Sequence, residues 1–494
     1  MKIPRSSLRI GAGLGAVAAL LGACAVGPDF VPPAPPTVGR YTLEPVPMST
    51  VAAAGRTQDF AAGCPLVADW WRLFECPQMD ALVLRAIAGN PTLQASEASL
   101  RQSRENLLAG EGVFYPRLDA AAAAAREHTA PLQQGVQTPG TTFTLLTLSG
   151  TVGYALDVFG GERRTAEGLR AQYDYEGYEN LAAYLTLSAS VVDAAIARAG
   201  YAAEIRATRQ LLDLERQQLQ LSTAQVSAGT APYSSLLGVQ GLIAANQALL
   251  APLEQRESEA GDLLASLEGA TPAEAALPDI DLAALALPAE LPLSLPSDLV
   301  RRRPDILSAE AQLHLASANI GVATAAMFPS ISLSGTYGGA SSSFGGLSAG
   351  GARFWSIGPS ATIPLFQGGG LWHGRRAAVD AFQGAQAAYR QTVLAAFAQV
   401  ADSLNALDHD AQGLKAQDDA RLSAGETLRL LQANYTAGLV AYPDVLAADV
   451  QLHQAEIAWL QAVAQRHQDT VALFVALGGG WWSLASPQGT ERAP

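Results

Sequence analysis

The chain has 494 residues, of which 49% are hydrophobic and only 15% are charged, and its formal net charge is −14. This length and apolar content exceed what one small domain can bury, so several packed cores are expected. The acidic balance and the presence of only two lysines argue against nucleic acid as a partner, because phosphate binding needs clustered positive charge.

Residues 1–23 have the form of a signal peptide. Lys2, Arg5 and Arg9 precede an apolar run that is too short for a bilayer span of ~20 residues. The run ends in LLGAC and resembles the bacterial lipobox, in which the cysteine becomes the lipidated first residue. The resemblance implies lipidation of Cys24 and, because alanine rather than aspartate follows, sorting to the outer membrane. A plain leader cleaved beside the cysteine is the alternative.

Residues 24–76 are predicted to form an extended N-terminal tether. The stretches GPDFVPPAPP and LEPVPM contain too many prolines for a helix or an inner strand. Cys64 and Cys76 lie in this segment, and in an oxidising compartment they can form a disulfide. Two free thiols are the alternative, because sequence spacing does not give the Cα geometry. With no CxxC pair and no nearby histidine, no metal site is predicted.

Two parts of the chain are copies of each other. Residues 90–116 and 303–329 align without a gap at a constant offset of 213, which is read from the printed numbering. The identical pairs are Pro91/Pro304, Glu97/Glu310, Ala98/Ala311, Leu100/Leu313, Asn106/Asn319 and Pro116/Pro329. One offset held across a helical stretch and into the next segment indicates an internal duplication.

The duplication predicts the organisation of the whole chain. A first structural repeat covers 77–269, a proline-punctuated linker covers 270–296, and a second repeat covers 297–478. A C-terminal tail, 479–494, follows. Each repeat is predicted to contain a helix, a β-hairpin, a very long helix, a turn and a returning helix.

After Pro116 and Pro329 the hydrophobic period changes from that of a helix to that of a strand. One face of LTLSGTVGYALD carries large apolar residues and the other carries threonine, serine and glycine. The second copy repeats the alternation, and its last strand is predicted to continue through Leu365. Soluble sheets also alternate, but a polar face made of small hydroxyl residues and strands of ~9–11 residues are typical of a lipid-facing barrel with a wet lumen.

Four strands cannot close a membrane barrel, because the smallest single-chain barrels have about eight. Open sheet edges cannot face lipid, where unpaired backbone groups cost several kcal/mol each. We therefore expect strands to be pooled across subunits, with three chains supplying a 12-stranded β-barrel.

Long proline-free stretches follow both hairpins and are predicted to be helices. They extend from Glu162 to about Val226 and from Arg375 to Tyr435. At 1.5 Å per residue, some 60 residues reach roughly 90 Å, far more than a membrane requires. Each stretch ends at a turn glycine, Gly229 or Gly438, where a left-handed helix cap is expected.

The chain resembles the TolC-type outer-membrane channels, in the lipoprotein branch that serves efflux pumps. The resemblance rests on CAVGPDFVPP, WWRLFECPQMDALV, LPSDLVRRRPDILSAEAQLHLASANIGVATAAMFPSISLSG and IPLFQGGG. It implies a mainly α-helical chain with a membrane β-barrel, assembled as a homotrimer. The 12-stranded barrel continues as a long α-helical barrel through the periplasm. The implied function is a passive exit duct for small molecules, with a periplasmic adaptor and an inner-membrane transporter as partners and outer-membrane lipid as surroundings.

The resemblance also implies roles for individual residues. The turns at Gly229 and at Gly438 and Leu439 match the adaptor-docking tips of the family. Asp444 matches an aspartate that rings the narrow periplasmic entrance and acts as a gate. The next aspartate of the family pattern, three residues on, is Ala447 here, so a weaker ring is expected, and Asp449 is the one candidate substitute. An ordinary aspartate in the first turn of a helix is the alternative for Asp444.

Three other functions were weighed against the exit duct. The outer duct of a type I protein-secretion system shares the fold and remains the alternative. An exported enzyme is not supported, because HExxH and phosphate-loop patterns are lacking, and no catalytic residue, cofactor or metal is predicted. The histidines show no ligand spacing; they are His128, His314, His373, His409, His453 and His467. A periplasmic scaffold without a pore does not account for the alternating strands.

Overall fold

The computed structural model describes residues 25–44, 47–53, 56–62, 66–129 and 139–483. The signal peptide, Cys24 and Cys64 lie outside the described residues, as does the predicted tail beyond residue 483.

The helices and strands alternate in the order that the duplication predicts. In chain order they are β1 (Asp59–Ala62), α1 (Pro77–Gly89), α2 (Pro91–Glu111), β2 (Arg117–Thr129), β3 (Thr141–Leu156), α3 (Gly161–Ser227), α4 (Tyr233–Leu267), β4 (Glu290–Leu293), α5 (Pro296–Leu299), α6 (Pro304–Ala325), β5 (Ser330–Ser341), β6 (Arg353–Thr362), α7 (Gly370–Thr436) and α8 (Tyr442–Ala476).

The chain divides into two compact units. The sheet unit contains residues up to Pro33 together with Ser99–Glu176 and Ala309–Tyr389. The helix unit contains Ala34–Ala98, Gly177–Ser308 and the residues from Arg390 onward. The long helices α3 and α7 contribute to both units.

The two repeats have the same helical skeleton. Helices α3 and α7 each have 67 residues, and α4 and α8 each have 35. Each end of α3 and α4 lies 209 residues before the matching end of α7 and α8, and the same offset separates Gly229 from Gly438. The duplication inferred from the sequence is therefore also a structural duplication.

In the sheet unit, four antiparallel strands pair in the order β2-β3-β5-β6. The hairpin of each repeat stays together, and the two hairpins join through β3 and β5, where Thr151 pairs with Thr336. The predicted last strand is too long, because β6 ends at Thr362 and not at Leu365. Its partner β5 begins at Ser330, which pairs with Thr362, so β5 offers no residue to pair with the chain beyond Thr362.

In the helix unit, part of the predicted tether and part of the predicted linker are ordered structure. Strand β1 pairs in parallel with β4, so that Phe60 lies opposite Leu291. A short 3-10 helix follows at Trp70–Phe74, and Trp70, Trp71 and Phe74 are buried. Side chains of this size gain ~1.5–3 kcal/mol each from burial, which holds the segment on the helices although its beginning is rich in proline.

Arg303, in the arginine run before α6, has a structural role. Its Nη1 donates to the carbonyl of Ala476 at 2.9 Å, and its Nη2 donates to Asp305 Oδ2 and to Gln399 Oε1, each at 2.7 Å. The side chain is buried, so these bonds satisfy a charge that would otherwise be costly. Arg303 thus caps the C-terminal end of α8, where free carbonyl groups attract a cation.

Helices α3 and α4 each contain a stretch long and apolar enough, by length and composition only, to cross a membrane. Their counterparts α7 and α8, at equivalent positions of the second repeat, contain no such stretch in the part of the chain that the structure describes. Because the duplicated skeleton places equivalent helices in equivalent roles, we assign membrane contact to the sheet and not to these helices.

Candidate membrane-facing sheet and helix-turn tips

The sheet has one apolar face whose large side chains are exposed. Leu118 lies opposite Val152, and Tyr337 lies opposite Trp355, in cross-strand pairs. Leu118 is 74% exposed and Trp355 is 72% exposed. A soluble sheet would bury such a row, so this face is suited to hydrocarbon.

The other face of the sheet carries small hydroxyl side chains that bond to one another. The hydroxyl oxygens of Thr151 and Thr336 lie 3.1 Å apart, and those of Ser332 and Ser360 lie 2.8 Å apart. Both pairs join neighbouring strands. A face of this kind can contact water without projecting bulky groups, as the lumen of a barrel requires.

The outer strands of the sheet, β2 and β6, have partners on one side only. β6 contains Pro359, which lies opposite Leu333. Proline is tolerated at a strand edge, where its missing N–H removes no internal ladder bond. The edges therefore offer backbone groups to another strand.

The residues directly after Cys24 are fixed to the sheet unit. The backbone N–H of Val26 donates to the carbonyl of Phe159 at 3.0 Å. The buried Arg164 donates to Asp29 Oδ1 at 2.6 Å. A Cβ on Gly27, which has φ +98°, would lie only 2.5 Å from the Cα of Gly321. We call residues 25–30 the N-terminal strap.

The strap differs from the extended tether that the sequence predicts for residues 24–76, because it is packed on the sheet unit. Phe30 stacks on His314 with ring centroids 4.3 Å apart. His314 Nε2 also lies 2.8 Å from Glu167 Oε1. No local pattern links these positions, and the only hint was a glycine in the GPDF stretch that follows the cysteine.

The turns after α3 and α7 have identical geometry. Gly229 and Gly438 both have φ +73°. The N–H of Gly229 donates to Val226 and that of Gly438 donates to Tyr435, while the next residues reach back to Gln225 and Asn434. These two bonds per turn form the Schellman motif, which confirms the left-handed caps predicted from the sequence.

The tip of the second turn is open to solvent. Leu439 is 73% exposed, and a Cβ added to Gly229 or to Gly438 would meet nothing within 4 Å. An exposed leucine beside a rigid turn is available for a partner. Docking at these turns stays a prediction.

Asp444 is exposed in the first turn of α8. Its Oδ2 accepts from the backbone N–H of Ala441 at 3.1 Å, and its own N–H donates to the carbonyl of Ala441 at 3.1 Å. The structure thus contains the helix-cap contact expected from the alternative interpretation. A gate role is compatible with it, because the carboxylate remains exposed, and it stays a prediction. The corresponding residue of the first repeat is Ser235.

Asp449, the nearest acid that could substitute for the missing second gate aspartate, is half-buried. Burial raises its pKa, and the charge of Asp449 adds to burial in raising the pKa of Glu215 on α3. Glu215 accepts a hydrogen bond from Asn246 at 2.6 Å. Asp449 is thus less exposed than Asp444, and its part in a gate stays a prediction.

Cys76 is a free thiol in the structure, with Sγ 3.5 Å from Gln78 Oε1. Cys64 lies outside the described residues, so the bridge between them stays a prediction. Among the described residues, no group of three or more histidine, cysteine and acidic side chains is arranged to hold a metal ion.

The family of the chain is shown by comparison with known proteins. The family model for outer membrane efflux protein matches residues 82–270 and 295–479. Outer membrane protein OprJ of Pseudomonas aeruginosa is 30% identical over 466 residues, which cover 94% of this chain and 95% of OprJ. The toluene efflux pump outer membrane protein TtgC of Pseudomonas putida is 29% identical over 490 residues, covering 97% of this chain and 98% of TtgC.

Solved structures agree with these relatives. The outer-membrane channel OprN matches with a TM-score of 0.83 at 26% identity, covering 93% of this chain and 100% of that one. The open state of the Neisseria gonorrhoeae MtrE outer membrane channel matches with a TM-score of 0.78 at 26% identity, covering 92% and 98%. The fold class, the outer-membrane location and the exit-duct function predicted from the sequence are confirmed. This chain belongs to the outer membrane efflux protein family, whose members are channels, and it is the outer-membrane exit duct of an efflux system.

Proposed function

We propose that three copies of the chain close their sheets into one 12-stranded barrel. The resulting homotrimer receives small molecules from an inner-membrane transporter through a periplasmic adaptor. The observation that carries this proposal is the four-stranded sheet with an exposed apolar face and two open edges, β2 and β6.

The open edges make a closed assembly necessary. In hydrocarbon, each unpaired backbone group costs several kcal/mol, so a sheet with free edges does not span a membrane. Pairing β2 of one chain with β6 of the next removes every edge when the ring closes. Three sheets of four strands each give twelve strands, which is within the range of known membrane barrels.

Cysteine cross-linking tests the closure. In a background that carries both Cys64→Ser and Cys76→Ser, cysteines scanned along β2 against Ser356→Cys on β6 are expected to give disulfide-linked dimers and trimers. The control is the pair Thr151→Cys and Thr336→Cys, whose hydroxyl oxygens lie 3.1 Å apart within one chain and which should give only intrachain bonds. If every β2–β6 pair also bonds only within a chain, the proposed ring is wrong.

The cargo is proposed to be small molecules. The relatives TtgC and OpmQ are named for toluene efflux and for pyoverdine export. Toluene and pyoverdine are both small molecules. A deletion strain should lose resistance to organic solvents and toxic dyes while the set of secreted proteins is unchanged. Loss of a secreted protein with unchanged resistance would instead support the type I secretion duct.

The lipid anchor is proposed at Cys24. A relative, SilC of Salmonella typhimurium, is named a probable outer membrane lipoprotein. The strap that follows Cys24 is held on the sheet unit by Val26 and by the ion pair of Asp29 with Arg164. An acyl chain attached one residue before the strap would thus start beside the unit that contains the membrane-facing sheet.

A further inference from the structure

The sheet contains one seam between its two hairpins, and its two free edges are the halves of a second seam. In the inner seam, β3 of the first repeat pairs with β5 of the second, with Leu156 opposite Ile331. The outer seam joins β6 of one chain to β2 of the next, so this inference rests on the closure proposed above. β6 ends its hairpin as β3 does, and β2 begins its hairpin as β5 does. The inner seam is therefore a template for the outer one.

An aromatic contact joins the two chain segments at the helix-side end of the inner seam. Phe159 is the only aromatic residue between β3 and α3, and Phe328 lies two residues before β5. Their rings are stacked, with centroids 4.9 Å apart and planes inclined by 23°. The segment that leaves β3 is thus packed on the segment that enters β5.

The outer edges carry aromatic residues at the same two places. The offset of 213 between the repeats makes Tyr115, two residues before β2, the counterpart of Phe328. Phe366 is the only aromatic residue between β6 and α7. Phe366 is 89% exposed and Tyr115 is 73% exposed, so neither ring is packed on its own chain. Large rings left in water at matching places indicate a partner that a single chain does not supply.

The backbone beside Phe366 also lacks the partner that the inner seam provides. β3 continues for three residues past Gly153, which is its last residue paired with β2, and those three pair only with β5. β6 pairs with β5 as far as Thr362, and the next three residues, 363–365, have no strand paired with them in the described part of the chain. Pro364 removes one backbone donor at most from a contact there. The template therefore places β2 of another copy along residues 363–365.

We propose that residues 363–366 are a docking segment for a second copy of this chain. The segment lies along the first residues of β2 of the next copy. Phe366 packs on Tyr115 of that copy as Phe159 packs on Phe328 within the chain. Each copy offers the docking segment at one edge and Tyr115 at the other, which is the head-to-tail arrangement that closes a ring. In a trimer, three such contacts alternate with the three inner ones.

Contact with lipid head groups is the competing role for the two rings. Membrane barrels carry belts of aromatic residues at the level of the head groups. A belt requires exposed rings but not paired ones. The inner seam favours pairing, because Phe159 and Phe328 occupy the corresponding places and are stacked on each other.

Cysteine cross-linking tests the contact between copies. In the same background as the β2–β6 scan, the pair Tyr115→Cys and Phe366→Cys should give linked dimers and trimers with a short cross-linker that joins two thiols. The matched control is Phe159→Cys with Phe328→Cys, which should link only within one chain. Links in the β2–β6 scan without a link between positions 115 and 366 would overturn the docking segment and leave the ring intact. Failure of both sets of links between copies would overturn the ring as well.

A double-mutant cycle separates packing between copies from contact with lipid. Phe366→Ala and Tyr115→Ala should each lower, by several degrees, the temperature at which the purified trimer dissociates. The double variant should dissociate at about the temperature of the less stable single variant, because either change removes the same contact. Additive effects of the two changes, or an unchanged dissociation temperature with poorer insertion into the outer membrane, would assign the rings to lipid and overturn the proposal.

The matched control for the cycle is Phe344→Ala. Phe344 lies in the connection between β5 and β6, at the other end of the strands, and is 82% exposed. Its removal takes a similarly exposed ring from the same sheet but from neither edge at the helix side. The dissociation temperature of this variant should equal that of wild type.

Discussion

Gly229 and Gly438 end the two long helices with the same φ of +73° and with the same pair of backbone hydrogen bonds. Both positions lie in the left-handed region, which costs a residue with a Cβ roughly 1–2 kcal/mol. The matching geometry of the two turns shows that the chain reverses its direction at equivalent positions of the two repeats.

The turn at Gly438 is expected to be required for pump assembly. Gly438→Val should destabilise the left-handed turn by roughly 1–2 kcal/mol and reduce cross-linking to the adaptor. The matched control is Gly413→Val, the same change inside α7, where a Cβ also meets nothing within 4 Å and the helix is regular. Full adaptor cross-linking and full resistance in Gly438→Val would contradict the docking proposal.

A second variant separates the surface of the tip from its backbone. Leu439 is 73% exposed and makes no use of the left-handed region. Leu439→Asp should leave the thermal stability of the trimer unchanged but weaken adaptor binding, because it places a charge in an apolar contact. An unchanged affinity for the adaptor would exclude Leu439 from the docking surface.

Asp444 is expected to contribute cation selectivity at the entrance. In a trimer it supplies three carboxylates, which concentrate cations where the passage is narrow. Asp444→Asn should lower cation selectivity and weaken block by multivalent cations in bilayer recordings, while Asn still offers an oxygen to the Ala441 N–H. The complementary variant Ser235→Asp adds the equivalent carboxylate to the first repeat and should raise selectivity. A fall in thermal stability alone, without any change in selectivity, would leave only the helix-cap role.

Cys24 is expected to be the lipidated residue. Cys24→Ser should abolish labelling with radioactive palmitate, whereas Cys76→Ser should keep it. Each buried CH₂ of an acyl chain contributes about 0.8 kcal/mol to membrane binding. The lipid therefore adds to the membrane attachment that the barrel provides and does not replace it. Exported Cys24→Ser protein should therefore still form trimers in the outer membrane. Labelling that persists in Cys24→Ser would show that the lipid is attached elsewhere.

Cys64 and Cys76 are expected to form a bridge after export. Closing a short loop of this kind contributes about 2–3 kcal/mol. Thiol titration of denatured, unreduced protein should then find no free thiol, and reduction should release two. Two reactive thiols before reduction would mean that Cys76 stays free, as it is in the structure.

The duplicated skeleton of this protein can be predicted from local patterns in the sequence. The first long helix is predicted to extend from Glu162 to about Val226, and α3 covers Gly161–Ser227. The turn glycines were identified as left-handed caps, and the strands were identified by their alternation. These features are local: hydrophobic period, proline and the freedom of glycine at positive φ are properties of neighbouring residues, so a linear pattern records them.

Contacts between residues that are distant in the chain could not be predicted in this way. The pairing of Phe60 with Leu291 joins segments that the sequence assigned to a tether and a linker. The contact of Asp29 with Arg164 places the strap, and Arg466 on α8 donates hydrogen bonds to Gln58 and Thr50. Alternation and helical periodicity predict which face of a strand or helix is buried, but they do not predict which other element covers that face. The burial of a side chain depends on the packing of several elements at once, and that packing has no signature in the sequence of any one of them.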